Sequence, residues 1–197
     1  MRVFGLTGGL GMGKSASAQL LRAHGVAVVD TDDLARRVVE PGQPVLEQVR
    51  QLFGPEAVGP DGRLRRAELA RRVFAQPAAR KQLEALLHPS IRALWQSQVA
   101  AWRKEGRPCA VVIIPLLFET GAEAHLDATI CVACSAATQR QRLLARGWTS
   151  EQTDHRLRAQ WPVEQKMARA DYVVWTEGGL DIHAAQLARI VSREGGK

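Results

Sequence analysis

The chain reads as an α/β protein, a five-stranded parallel sheet with helices on both faces. Three observations in its 197 residues predict this. Five short apolar runs lack the alternation of a half-exposed strand, as strands covered on both faces do. Stretches with apolar residues at helical spacing lie between most of them. The first run passes through a glycine-rich loop directly into a helix, the opening of a parallel crossover unit.

Val3-Phe4-Gly5-Leu6-Thr7 is the first strand. Gly8-Gly9-Leu10-Gly11-Met12-Gly13-Lys14-Ser15 then fits G-x-x-x-x-G-K-[ST], the phosphate-binding P-loop. From Ser15 to His24, Ala16, Ala18, Leu20, Leu21 and Ala23 mark a helix that stops at Gly25. Strand, glycine loop and helix stand in the order the chemistry needs. Glycines let the backbone fold into a nest of N–H donors, and the helix N-terminus adds its positive dipole end. Gly8, Gly11, Met12, Gly13, Lys14, Ser15 and Ala16 are thus expected around a triphosphate. Lys14 reaches the β/γ-phosphates and the Ser15 hydroxyl ligates Mg²⁺. The chain is expected to bind a nucleoside triphosphate.

Val26-Ala27-Val28-Val29 is the second strand, ending in Asp30-Thr31-Asp32-Asp33. A helix with Leu34, Ala35, Val38 and Val39 on one face follows, stopped by Pro41-Gly42. Asp33 is the expected N-cap of that helix. Asp32, at the carboxyl end of a strand beside the P-loop, stands where such folds gather ligand groups. Residues 43 to about 107 carry helical stripes, with a new helix expected after His88-Pro89. Ala110-Val111-Val112-Ile113-Ile114 is the third strand, leading into Pro115-Leu116-Leu117-Phe118-Glu119. Ala128 to Ala133 is the fourth. A helix with Thr138, Arg142 and Arg146 on one stripe closes at Gly147, and an Arg-rich helical region broken by Pro162 fills 149–170. Tyr172-Val173-Val174-Trp175 is the fifth strand, before a last helix from Leu180 to Val191.

An odd count of three cysteines argues against a disulfide framework. Cys131 and Cys134 lie in one strand, three apart and so on opposite faces, which suits core packing better than a metal. The net charge of +7 suits polyanions, either nucleic acid or small-molecule phosphates. Few aromatics accompany the arginines, so no nucleic-acid partner is expected. No run is long enough to span a bilayer, and the first strand begins almost at Met1. A soluble cytoplasmic protein without a membrane partner is expected.

Among P-loop proteins the third strand ends in Pro115 and not in a Walker-B aspartate, and no Asn-Lys-x-Asp motif occurs. The acids at the second strand's end fit a small-molecule kinase. At this point the residues become specific. Leu6-Thr7-Gly8-Gly9-Leu10-Gly11, Asp30-Thr31-Asp32 with Ala35-Arg36, His88-Pro89 and Pro115-Leu116-Leu117-Phe118-Glu119 together resemble the dephospho-CoA kinase family. So do Gln139 to Arg142, Arg146, Arg156, Gln160, Lys166 and Ala170-Asp171. The resemblance implies a P-loop NTPase fold of the nucleoside-monophosphate-kinase-like kind. It implies transfer of the ATP γ-phosphate, with Mg²⁺, to the ribose 3′-hydroxyl of dephospho-CoA.

The resemblance also divides the chain into a core of 1–33, 108–136 and 169–197, a helical acceptor insertion at 34–107 and an Arg-rich lid at 137–168. Asp32, Lys14 and Arg142 become the expected catalytic residues, with Arg142 also on the nucleotide. Asp32, Arg36, His88, Leu117 and Glu119 become candidates for the acceptor. Arg36 either meets the acceptor or pairs with Asp32, and His88 either touches the acceptor or only sets a helix start. Leu117 is either under the acceptor or core, with Glu119 the more exposed candidate, while Arg140 and Arg158 read equally as surface charge. Three positions depart from the family pattern: Met12, which should be tolerated if it points outward, Ala16, and Thr176 after the last strand. A kinase for a nucleotide or a sugar acid shares everything but the acceptor segments. A monomer or weak oligomer is expected.

Overall fold

The structure, a computed structural model, describes residues 1–157 and 160–195. The first half runs β1 (Arg2–Gly8), α1 (Lys14–Ala23), β2 (Ala27–Asp30), α2 (Thr31–Arg37), α3 (Pro44–Phe53), α4 (Arg66–Ala75) and α5 (Pro77–Lys104). The second runs β3 (Cys109–Ile113), β4 (Ala128–Ala133), α6 (Ala136–Ala145), α7 (Ser150–Leu157), α8 (Val163–Arg169), β5 (Tyr172–Trp175) and α9 (Leu180–Gly195). All four strand pairings are parallel, in the order β2-β3-β1-β4-β5. The chain leaves β1 toward one edge and later returns to its other side. The carboxyl end of β1, where the P-loop begins, is therefore the topological switch point of the sheet.

Strands β3 and β4 are buried along their whole length and β1 nearly so, which is why their sequences are unbroken apolar runs. On one face Phe4, Leu6, Val111, Ile113, Ile130 and Val132 pack with Ala18 and Leu21 of α1 and Leu187 of α9. Each large side chain enclosed there contributes roughly 1.5–3 kcal/mol. The other face is closer to the backbone. A Cβ built on Gly5 would stand 2.4 Å from Leu126 Cδ1 and 3.1 Å from Leu117 Cδ1, so glycine lets those leucines lie on β1. Farther along that face, Met12, Ala133 and Cys134 pack with Val163 and Met167 of α8. Asp171 pins the start of β5 to β4 by accepting from the Thr129 N–H and hydroxyl, both at 2.7 Å.

The chain forms two compact units, Met1–Asp30 with Val99–Lys197, and Thr31–Gln98. The second starts three residues before the expected insertion and ends nine before it, because α5 is one continuous helix whose last turns belong to the first unit. That continuity corrects the expected restart after Pro89, which lies inside α5. An interior proline costs about 3 kcal/mol. The helix persists because Ala79, Ile91, Trp95 and Val99, four apart or multiples of four, are all buried. Within the second unit Arg72 donates to Phe53 O at 2.6 Å and lies over the Phe53 ring, tying α4 to α3.

Candidate active site

The P-loop is built by what its residues lack. Gly13 is the N-cap of α1 at φ 100°, a conformation L-residues avoid, and a Cβ there would meet Thr176 Cγ2 at 3.1 Å. An N-cap without a side chain leaves the first N–H groups of α1 uncapped. The helix's first bond at this end runs from Ser17 N to Gly13 O, at 2.9 Å. The orphan donors and the positive dipole end together make an anion site. Lys14 arches back over the loop, its Nζ donating to Gly8 O at 2.8 Å and Gly9 O at 2.9 Å. Ser15 is exposed on the first turn of α1.

Beside this loop lies a cleft of about 190 Å³, lined by Gly11, Gly13, Ala16, Arg142, Arg146, Thr176 and His183 among others. Arg142 Nη1 donates to Thr176 Oγ1 at 2.9 Å and Nη2 to Thr176 O at 2.6 Å, while Thr176 Oγ1 donates to Met12 O at 3.1 Å. Gln139 Nε2 reaches Leu10 O at 2.7 Å. Helix α6 thus holds the loop directly through Gln139 and, through Thr176, from Arg142, and both arginines of its predicted stripe face the same cleft. Burial and the nearby Arg142 charge push the His183 pKa down, which favours the neutral imidazole. At the start of α6, Glu177 accepts from Ser135 N at 2.8 Å, and bonds from Ser135 and Thr138 pull its carboxyl down to about 2.

In the second unit, Asp32 is exposed on the first turn of α2. It follows β2, whose carboxyl end lies at the same end of the sheet as that of β1, where the P-loop begins, because every strand is parallel. The expected cap is corrected: α2 begins at Thr31, so Asp33 sits inside its first turn. Arg36 pairs with Asp33 at 3.1 Å, three residues away on the same helix face. His88 is half-buried on α5, and burial lowers its pKa against the raising influence of Glu84.

Packing settles three further positions. Met12 is 2 % exposed and points into the core, because the loop rests on the sheet face that α8 covers. Leu117 is 0 % exposed and belongs to the core beside Gly5, so it offers no surface to an acceptor. Glu119 is more exposed than Leu117 and Phe118, as expected, yet its side chain turns to an enclosed partner. Its Oε1 accepts from Lys166 Nζ at 2.8 Å and from Trp161 N at 3.0 Å, with the Lys166 side chain fully enclosed. An enclosed ammonium needs a counter-charge, which is what draws Glu119 inward. Lys166 also donates to Pro115 O at 2.7 Å, and Thr7 Oγ1 bonds the same carbonyl at 3.1 Å. The signal for a buried Lys166 was present in its place on the apolar stripe of Val163, Met167 and Ala170.

All three cysteines are free and buried, as core residues, with Cys131 pushed up to about 11 by burial. Arg140 is half-exposed and pairs with Asp154 at 3.4 Å. Arg158 and the Arg156 side chain lie outside the described residues. Among the described residues no cluster of three or more His, Cys, Asp or Glu side chains could hold a metal, and no helix is long and apolar enough to cross a membrane. The loop donors, a lysine and two arginines can bind a polyphosphate and neutralise charge that develops on it.

Comparison with known proteins agrees with this arrangement. The family model for dephospho-CoA kinase matches residues 2–181. A dephospho-CoA kinase of Anaeromyxobacter dehalogenans is 47% identical over 193 residues, 98% of this chain and 92% of that protein. One of Symbiobacterium thermophilum is 43% identical over 188 residues, 95% of this chain and 79% of that protein. Among solved structures, a Thermus thermophilus protein is 39% identical, with a TM-score of 0.86 over 98% of this chain and 97% of its own. Dephospho-CoA kinase from Campylobacter jejuni gives a TM-score of 0.72 at 23% identity over 98% of each chain. A shikimate kinase from Acinetobacter baumannii, at 13% identity and a TM-score of 0.55 over 98% of this chain and 95% of its own, shares the fold.

Proposed function

The chain belongs to the dephospho-CoA kinase family, and from that premise we propose how its own residues carry the reaction. The protein is a phosphotransferase that uses ATP in the final step of coenzyme A synthesis. The acceptor atom is the ribose 3′-oxygen of dephospho-CoA. Its bond to the γ-phosphorus forms as the bond from that phosphorus to the β,γ-bridging oxygen breaks, and ADP leaves. The transition state is loose, so holding the groups in line and offsetting charge matter most.

Lys14 exchanges the Gly8 and Gly9 carbonyls for the β/γ-phosphates. Gly8, Gly11, Met12, Gly13, Ser15 and Ala16 border the triphosphate through their backbone, and Arg142 adds its charge from the cleft. Asp32 takes the proton of the 3′-hydroxyl. Arg36 and His88 serve the acceptor, whereas Leu117 and Glu119 support the site from the core. Ser15, exposed beside the uncapped helix end, fits as the protein ligand of a Mg²⁺ that arrives with ATP. That ion, when bound, neutralises phosphate charge. Residues 137–168 act as the lid and the helical insertion as the acceptor region. The enzyme works in the cytoplasm as a monomer or weak oligomer.

The observation that carries this reading is the uncapped start of α1 with Lys14 folded over it. A coupled assay of ADP release over a panel of acceptors tests it. Dephospho-CoA should be the best acceptor by a wide margin. Faster turnover of a nucleotide or a sugar acid would overturn the assignment of the acceptor.

A further inference from the structure

Two consecutive carbonyls of the P-loop are held from behind. Met12 O accepts from Thr176 Oγ1 at 3.1 Å, and Gly13 O accepts from Ser17 Oγ at 3.0 Å. A trans peptide is planar, with its C=O and the following N–H pointing opposite ways. Fixing the Met12 carbonyl therefore aims the Gly13 N–H, and fixing the Gly13 carbonyl aims the Lys14 N–H. The first carbonyl is backed by Arg142, which donates to Thr176 Oγ1. The second has its own support. Ser17 Oγ lies 3.0 Å from His183 Nε2, and both residues are buried, at 0 % and 3 % exposure. Ser17 has one hydroxyl proton and gives it to Gly13 O, so His183 Nε2–H is the donor in that contact.

His183 stands on the first turn of α9 and also lines the cleft beside Ala16 and Arg142. A buried, hydrogen-bonded Ser–His pair costs desolvation that an apolar pair would avoid. Its geometry gives it something to do.

We infer that His183, acting through Ser17, is a positioning residue that orients the Gly13–Lys14 peptide of the P-loop for the triphosphate. The relay has the same form as Arg142–Thr176–Met12 and lies one peptide further along the loop. The inference rests on the nucleotide reading of the P-loop given above, and the test separates the two. His183→Leu keeps the volume but removes the donor, and His183→Gln keeps an amide N–H near the Nε2 position. Steady-state KM and kcat for ATP, at saturating dephospho-CoA, are measured with melting temperature for His183→Leu, His183→Gln, Ser17→Ala and the Ser17→Ala/His183→Leu double variant. His183→Leu and Ser17→Ala should each raise KM for ATP roughly three- to ten-fold, the worth of one hydrogen bond, with a smaller change in kcat. His183→Gln should restore most of it. The double variant should be no worse than the worse single, because both act through one contact. An unchanged KM in His183→Leu, or loss of melting temperature without a KM effect, overturns the inference. Lys14→Ala serves as the control: if it retains wild-type ATP binding by calorimetry, the P-loop reading itself falls.

Discussion

We propose Asp32 as the general base: it is exposed on the first turn of α2, directly after β2. A ribose hydroxyl is a poor nucleophile, and a carboxylate that accepts its proton as the P–O bond forms typically contributes 10²–10⁴-fold. Asp32→Asn should therefore lower kcat by about that factor while ATP affinity, measured by calorimetry, stays put. Asp33→Asn should change kcat little. Wild-type turnover by Asp32→Asn would remove Asp32 from the mechanism. The enclosed pair of Lys166 and Glu119 makes a different kind of claim. Removing one partner leaves a charge without its counter-charge, so Lys166→Met should destabilise the fold by about 3–5 kcal/mol in urea titrations. Lys166→Met with Glu119→Leu should recover much of that loss. A single variant as stable as the wild type would contradict the burial of the ammonium.

At the scale of elements, the ends of helices carry the chemistry. The start of α1 has no side-chain cap, which leaves its N–H donors for the phosphate proposed above. The start of α6 is closed twice, by Ser135, which accepts from Thr138 N, and by the Glu177 carboxylate. Because Glu177 is held at about 2, against 4.5 for its ordinary value, the unfolded chain binds its proton more readily than the folded one. Its contribution to stability is complete above pH 4.5 and is lost as the pH falls toward 2. Glu177→Gln should flatten the pH dependence of the melting temperature across that window and leave the slope above it unchanged. An identical slope in the variant would mean that the carboxylate is not held by α6. The same scale shows what a pattern of residues makes readable. The five strands and the P-loop helix could be located from periodicity and glycine, because both are local signals. The continuity of α5 through Pro89 could not, since it depends on burial on either side of the proline outweighing a local rule.

For the molecule as a whole, phosphoryl transfer to an alcohol must exclude water from the reacting phosphate. Amide exchange with a bisubstrate analogue bound should show slower exchange in 137–168 and in the second compact unit than in the unliganded protein. Unchanged exchange in both would count against closure as part of catalysis.

The sequence by itself determined the order of strands and helices, the phosphate loop, the carboxylate after β2 and the family to which these segments belong. Each of those is written in neighbouring residues: an apolar run, a glycine spacing, an acid at a strand end. Tertiary structure alone decided that Met12 turns inward, that Glu119 pairs with the enclosed Lys166, that Arg36 answers Asp33, and that Thr176 and His183 stand behind the loop. The contacts of Thr176 with Met12 and of His183 with Ser17 join residues 164 and 166 positions apart. No periodicity reaches that far. Such pairs exist only once the parallel sheet has brought β1 and the end of β5 to opposite sides of β4, so that α1 and α9 share one face.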